Sequence, residues 1–154
     1  MSFSAVLAAP FGGLGIQVSG EVVTSIEFLD GDVRTYGGSG FARAAHDQLA
    51  RYLDDAGFRP DFPFALAGTP FQRRVWQRLR QIPPGSVVRY GDLAVELETA
   101  PRAVGGACAA NPMVIVVPCH RVVSRQGLGG FMGKAVGRTL SVKQWLLAHE
   151  GVTP

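Results

Sequence analysis

Apolar positions in the first 66 residues come in short runs, Phe3–Ala8, Gly15–Val18 and Val22–Leu29. Between them stand Pro10-Phe11-Gly12-Gly13, Ser19-Gly20 and Asp30-Gly31-Asp32. Such runs read as strands joined by turns, since glycine, proline and aspartate adopt turn dihedrals at little cost. The partial alternation of Val22-Val23-Thr24-Ser25-Ile26-Glu27-Phe28 completes the pattern of a small antiparallel meander. Gly37-Gly38-Ser39-Gly40 reads as a connector. From Ala42 to Ala56 the period changes: Ala45, Leu49, Tyr52 and Leu53 recur at helical spacing, and Gly57 is the stop. Phe62–Leu66 reads as a short extended piece or linker. His46 lies on the predicted helix without a metal-ligand partner nearby, so it reads as structural or exposed. This half reads as scaffold.

Helical signals dominate the second half of the chain. Thr69 can cap a helix, Pro70 suits its first position and Gln72 completes a capping-box pattern. Phe71, Val75, Leu79 and Ile82 form its apolar stripe until Pro83-Pro84-Gly85 ends it. Val87–Gly91 reads as extended, and Asp92–Glu98 as a short helix with Leu93 and Leu97 inward. Thr99 is the expected cap of a further helix, Ala100–Ala110, which Asn111-Pro112 terminates. Two short helices joined by a tight turn have helix-turn-helix proportions. On the second, Ala103, Gly106, Ala107 and Ala110 fall at i, i+3, i+4 and i+7, a face almost without side chains. Each helical glycine costs about 1 kcal/mol relative to alanine, so close backbone approach to a helix or a nucleic-acid groove is expected there. Arg102 stands at its entrance, long enough to reach phosphates or enter a base stack.

Composition excludes some classes. No run of about 18 apolar residues exists, so a membrane span is not expected. The N-terminus shows no basic segment followed by an apolar core, the mark of a secretory signal. Two cysteines suggest no disulfide framework, and a reducing cytoplasm is the expected location. The net charge of +3 divides into −4 over residues 1–66 and +7 over residues 67–154. A basic second half points to a polyanion, nucleic acid first; a merely soluble basic surface is the alternative.

The candidate chemistry lies in Ile115-Val116-Val117-Pro118-Cys119-His120-Arg121-Val122-Val123. The β-branched residues predict a buried strand or packed segment, which Pro118 must turn. A thiol beside an imidazole and a guanidinium on such a turn can serve as a nucleophile, although a free cysteine is often simply core. Contact between Cys119 and His120 would need that turn, or a water between sulfur and imidazole. A base works best when a third group orients it. Glu150 is the candidate orienter, closing a predicted helix Ser141–His149 with Val142, Trp145, Leu146 and His149 on its apolar face.

On these residues the chain resembles the O6-alkylguanine-DNA alkyltransferase family. The resemblance rests on Gly68-Thr69-Pro70-Phe71-Gln72, Val75-Trp76, Ile82-Pro83-Pro84-Gly85 and Tyr90-Gly91-Asp92-Leu93-Ala94. It continues through Arg102-Ala103-Val104-Gly105, Asn111-Pro112, the Pro118–Val123 box and Leu146–Gly151. It implies an α+β chain: a ribonuclease-H-like α/β scaffold over residues 1–66, then a mainly helical, winged helix-turn-helix-like domain over 67–154. It further implies a monomer that flips O6-alkylguanine out of double-stranded DNA and transfers the alkyl group once, irreversibly, to Cys119, without a cofactor. O4-alkylthymine is left open as a substrate.

The roles implied are Cys119 as acceptor, His120 as its base through a water, and Glu150 as orienter of His120. Asn111 would brace the turn, and Tyr90 would donate to guanine N3. The carbonyls of Cys119 and Val122 would accept from the guanine amine, and Met132 and Gly133 would line the pocket. Arg102 would fill the vacated stack, with Ala103, Gly106 and Arg121 also at the DNA. One departure stands out: the family's Gly-Tyr-x-Gly-Gly loop reads Gly130-Phe131-Met132-Gly133-Lys134 here, with extra residues before Lys143. The zinc site of some relatives has no basis in the spacing of Cys108, Cys119, His46, His120 and His149, and Cys108 reads as a passive buried thiol. A non-catalytic sensor of alkylated DNA and a cysteine hydrolase are the competing readings.

Overall fold

The computed structural model describes residues 3–125, 127, 129 and 138–152. It divides into two compact units, Met1–Ala67 with Pro112–Val116, and Gly68–Asn111 with Val117–Pro154. The chain thus leaves the first unit after Ala67 and returns to it for five residues, Pro112–Val116, immediately before the cysteine box.

In the first unit β1 (Ala5–Ala9), β2 (Gly12–Ser19) and β3 (Val22–Leu29) form an antiparallel sheet in that order, with a bulge at Gln17/Val18. The expected meander is present, but β2 begins three residues earlier than the glycine-rich sequence suggested. Gly13 and Gly15 are strand residues with both faces covered: a Cβ would stand 2.3 Å from Val33 Cγ2 at the first and 2.6 Å from the Phe3 ring at the second. Both sheet edges are occupied. Tyr36 bridges to Val6 on one side, while Phe64 and Met113 bridge to Val23 and Ile26 on the other. These short segments satisfy edge N–H and C=O groups that would otherwise invite pairing with another chain. Helix α1 (Gly40–Asp54) lays Ala42, Ala45, His46, Leu49 and Tyr52 inward against the sheet, forming a core with Leu7, Leu14, Ile16, Val23 and Ile26.

The second unit is mainly helical. Helix α2 (Pro70–Leu79) starts with the expected reciprocal box: Gln72 N–H donates to the Thr69 hydroxyl and Thr69 N–H to Gln72 Oε1, both at 3.0 Å. The short strand β4 (Val88–Arg89) leads directly into α3 (Tyr90–Glu96), two residues earlier than expected. Helix α4 (Pro101–Ala109) has Ala100 at its N-cap and Pro101 in its first turn; Thr99 does not cap it. Trp76 is buried and its indole donates to the Ala107 carbonyl at 2.8 Å, pinning α2 to α4. Arg78 pairs with Glu96, and Arg74 donates to the Leu97 carbonyl, tying α2 to the end of α3. A 3-10 turn (Cys119–Arg121) enters β5 (Val122–Val123), parallel to β4, and α5 (Arg138–His149) closes the unit.

Candidate active site in the second unit

Successive local hydrogen bonds shape the cysteine turn. Pro118, at φ −82° and ψ 67°, is the centre of an inverse γ-turn in which Cys119 N–H donates to the Val117 carbonyl at 2.9 Å. Arg121 N–H then donates to the Pro118 carbonyl, opening the 3-10 turn. The expected break at Pro118 is therefore a specific one, which ends the extended run and carries Cys119 into a helical turn. Asn111 clasps it, donating through Nδ2 to the Val117 carbonyl at 2.8 Å and to Cys119 Sγ at 3.2 Å.

Cys119 is 1% exposed. Burial pushes its thiol up to about 11, against the opposing pull of the Asn111 donor and the charge of Lys143. At neutral pH a thiol at that value is ionised only about once in ten thousand molecules, so nucleophilic chemistry here needs a base.

An imidazole stands on the same turn. His120 is buried, and its Nε2 lies 2.9 Å from Glu150 Oε2. Arg121 grips the same carboxylate in a two-pronged pair, Nε to Oε1 at 2.8 Å and Nη2 to Oε2 at 2.7 Å. Its remaining arm donates to the Ile82 carbonyl at 2.7 Å. Although burial alone would raise Glu150, the Arg121 and His120 hydrogen bonds hold its carboxyl well below the usual carboxylate range. A carboxylate only accepts, so His120 Nε2 carries the hydrogen and Nδ1 is the basic nitrogen of the neutral ring. Burial, more than it is offset by Glu150, keeps the imidazole below its ordinary value and hence neutral.

Arg121 corrects an expectation. The resemblance implied a DNA contact for it, yet it is 5% exposed and its guanidinium is committed to Glu150 and Ile82. A buried carboxylate needs such a partner, and the guanidinium fork supplies it.

Lys143 was missed as a site residue. It is fully buried, donates to the Val122 carbonyl at 2.7 Å and lies 5.8 Å above the Tyr90 ring. Burial lowers its ammonium to about 8. The available signal was spacing: Lys143, Leu146, Leu147 and Glu150 fall at i, i+3, i+4 and i+7, and all four are buried. Trp145 and His149, expected on that face, stack on each other at 4.8 Å beside it. Tyr90 is half-buried, and burial first, then the two thiols Cys108 and Cys119, push its phenol well above the ordinary value, so it remains a donor. The Val122 carbonyl accepts from Lys143 and the Cys119 carbonyl from Val122 N–H, each keeping a second lone pair.

Of the expected DNA-facing group, Arg102 and Gly106 are exposed on α4 and Ala103 is half-exposed. Ala107, placed on the same face by spacing, points inward at 3% exposure, so the outer face runs along Arg102, Ala103, Gly106 and Ala110. Among the described residues a Cβ at Gly105 or Gly106 would meet nothing within 4 Å, so packing against them does not require either glycine. Met132, Gly133 and the altered loop lie outside the described residues.

A model of the 6-O-methylguanine DNA methyltransferase DNA-binding domain matches residues 70–152, which hold the whole constellation around Cys119. The chain belongs to this methyltransferase family. It is 42% identical over 131 residues to a methylated-DNA–protein-cysteine methyltransferase of Thermococcus gammatolerans, covering 82% of this chain and 72% of that one. Against the Salmonella typhimurium protein of that name, identity is 58% over 90 residues, 56% of this chain and 50% of the other. The chain therefore spans about half the length of several curated relatives it matches. Among methyltransferase structures, O6-methylguanine methyltransferase of Mycobacterium tuberculosis superposes with a TM-score of 0.79 at 34% identity, covering 97% of this chain and 93% of that one. The same organism's OGT in complex with DNA gives 0.78 at 33%, covering 95% and 91%. The mixed α/β fold is that of these methyltransferases.

Proposed function

We propose that this protein repairs DNA by drawing O6-alkylguanine out of the duplex and moving its alkyl group to Cys119. The observation that carries the reading is a buried thiol clasped by Asn111, one residue from a neutral imidazole oriented by an ionised Glu150, in a chain of this family. His120 Nδ1 takes the thiol proton through a water, and Asn111 and Lys143 stabilise the sulfur as charge develops. Sulfur then attacks the alkyl carbon in line, a C–S bond forms and the C–O6 bond breaks. Tyr90 donates to N3 of the departing guanine, while the Cys119 and Val122 carbonyls receive its exocyclic amine. A thioether has no hydrolytic exit, so each molecule acts once and no cofactor takes part.

The outer face of α4 suits the minor groove. Its two glycines give up helix stability of about 1 kcal/mol each without packing against any described residue, which supports an external surface as their use. Arg102 would occupy the stack vacated by the flipped base. In this reading α3 and α4 form the helix-turn-helix, β4 and β5 its winged element, and the first unit is a ribonuclease-H-like scaffold. The protein would work as a monomer in the cytoplasm, where a reducing environment keeps Cys119 a thiol.

The test is incubation with duplex DNA carrying O6-methylguanine, followed by intact mass and peptide mapping. One methyl group per molecule should appear on Cys119 and be absent from Cys119→Ala. Repeated turnover would instead favour a hydrolase, and tight binding without an adduct a non-catalytic sensor.

A further inference from the structure

Arg121 and His120 reach the same atom, Glu150 Oε2, at 2.7 Å and 2.9 Å. Glu150 is thus shared between a permanent cation and a ring that can gain or lose a proton. A buried carboxylate with an imidazole as its only partner would draw a proton onto that imidazole, forming an ion pair. An imidazolium cannot accept the proton of Cys119.

We propose that Arg121 is a positioning residue that keeps His120 a base: by neutralising Glu150 through both oxygens, it makes the carboxylate an acceptor for a neutral ring rather than the counter-ion of a charged one. The proposal rests on the alkyl-transfer reading for its purpose, but its electrostatic content does not depend on it. Among the described residues, the charged groups bearing on the ring are Glu150 just past α5, Lys143 within α5, and Arg121 beside it on the turn. Arg121 and Lys143 both oppose a proton on His120, and Glu150 favours one. Of the two cations, Arg121 is the one whose fork engages both carboxylate oxygens, and its third contact, to the Ile82 carbonyl, fixes it in place.

The experiment follows His120 by imidazole NMR in the full chain, with His120→Gln assigning the signal against His46 and His149. In parallel, single-turnover methyl transfer from O6-methylguanine duplex is measured from pH 5 to 9. In Arg121→Met the His120 titration should move up by at least about one pH unit, the equivalent of a tenfold change in proton affinity. The transfer rate should fall roughly tenfold or more at pH 6 and recover toward wild type by pH 9. Arg121→Lys restores a charge without the fork and should lie between, which also carries the test if the Met variant does not fold. A uniform loss of rate at every pH, with His120 still titrating as in wild type, overturns the proposal and leaves Arg121 a structural residue. Absence of any methyl adduct in the wild type would sink the alkyl-transfer reading instead, while the NMR titration would still judge Arg121.

Discussion

In the first unit, the buried His46 makes one hydrogen bond, at Nδ1 with Asp47, and its Nε2 has no partner among the described residues; nor has the buried Ser25 hydroxyl. In the second, the buried Asn111, His120, Arg121, Lys143 and Glu150 are joined by hydrogen bonds to side chains and carbonyls. A half-satisfied polar group is tolerable when it is neutral, because the loss is that of one hydrogen bond. A buried charge left with half its partners is far more costly, since desolvation has already been incurred. The contrast shows where polar burial is incidental and where it is organised around reactive groups. Substitutions should separate the two.

The largest effect is expected at Glu150. Glu150→Ala strands the Arg121 guanidinium and should destabilise the chain by about 3–5 kcal/mol, as measured by chemical denaturation. Methyl transfer should fall with it, because His120 loses its orienter. A destabilisation close to zero would mean that the network contributes nothing beyond its surroundings.

Acid should erase the same contribution selectively. The Glu150 carboxyl is depressed in the folded state relative to its ordinary 4.5, so below that value the unfolded chain binds a proton that the folded chain refuses. Its stabilisation is therefore complete above pH 4.5 and is lost as pH falls toward the depressed value. The stability gap between wild type and Glu150→Gln should narrow between pH 5 and pH 3. A gap that stays constant would show that Glu150 does not titrate with folding.

The two faces of α4 offer a smaller contrast. Gly106 has open space around it, so Gly106→Leu should raise stability by up to about 1 kcal/mol through helix propensity. The same substitution should weaken duplex binding, on the order of tenfold, by obstructing close approach to the groove. Arg102→Ala should slow repair of duplex DNA by a similar factor and leave reaction with free O6-methylguanine unchanged, since only the duplex requires flipping. Equal slowing on both substrates would exclude the wedge role.

These contrasts also mark what sequence alone could carry. The meander, the capped α2 and the bend at Pro118 were legible because each has a local signature: alternation, a capping box, a ring-locked φ. Facing was less so. The resemblance places Arg121 at the DNA, and nothing local reveals its pairing with Glu150, 29 positions away. Lys143 was overlooked despite its inward spacing. Gly12 and Gly13 looked like a turn because side chains such as Val33, which demands glycine at position 13, are not visible in a local window. Chemistry was readable from residue type, whereas burial of charge required the tertiary structure.

The smallest effect should come from His46. Its one hydrogen bond among the described residues is to Asp47, an exposed side chain. His46→Leu removes an unpartnered buried nitrogen together with that one bond, so gain and loss nearly cancel. The stability change should lie within about 1 kcal/mol of zero. Methyl transfer and its pH dependence should be unaltered, which also clears the NMR titration of His120 of one neighbouring signal. A loss of several kcal/mol would mean that His46 has a buried polar partner in solution, and the two units would then differ less in kind than in visible wiring.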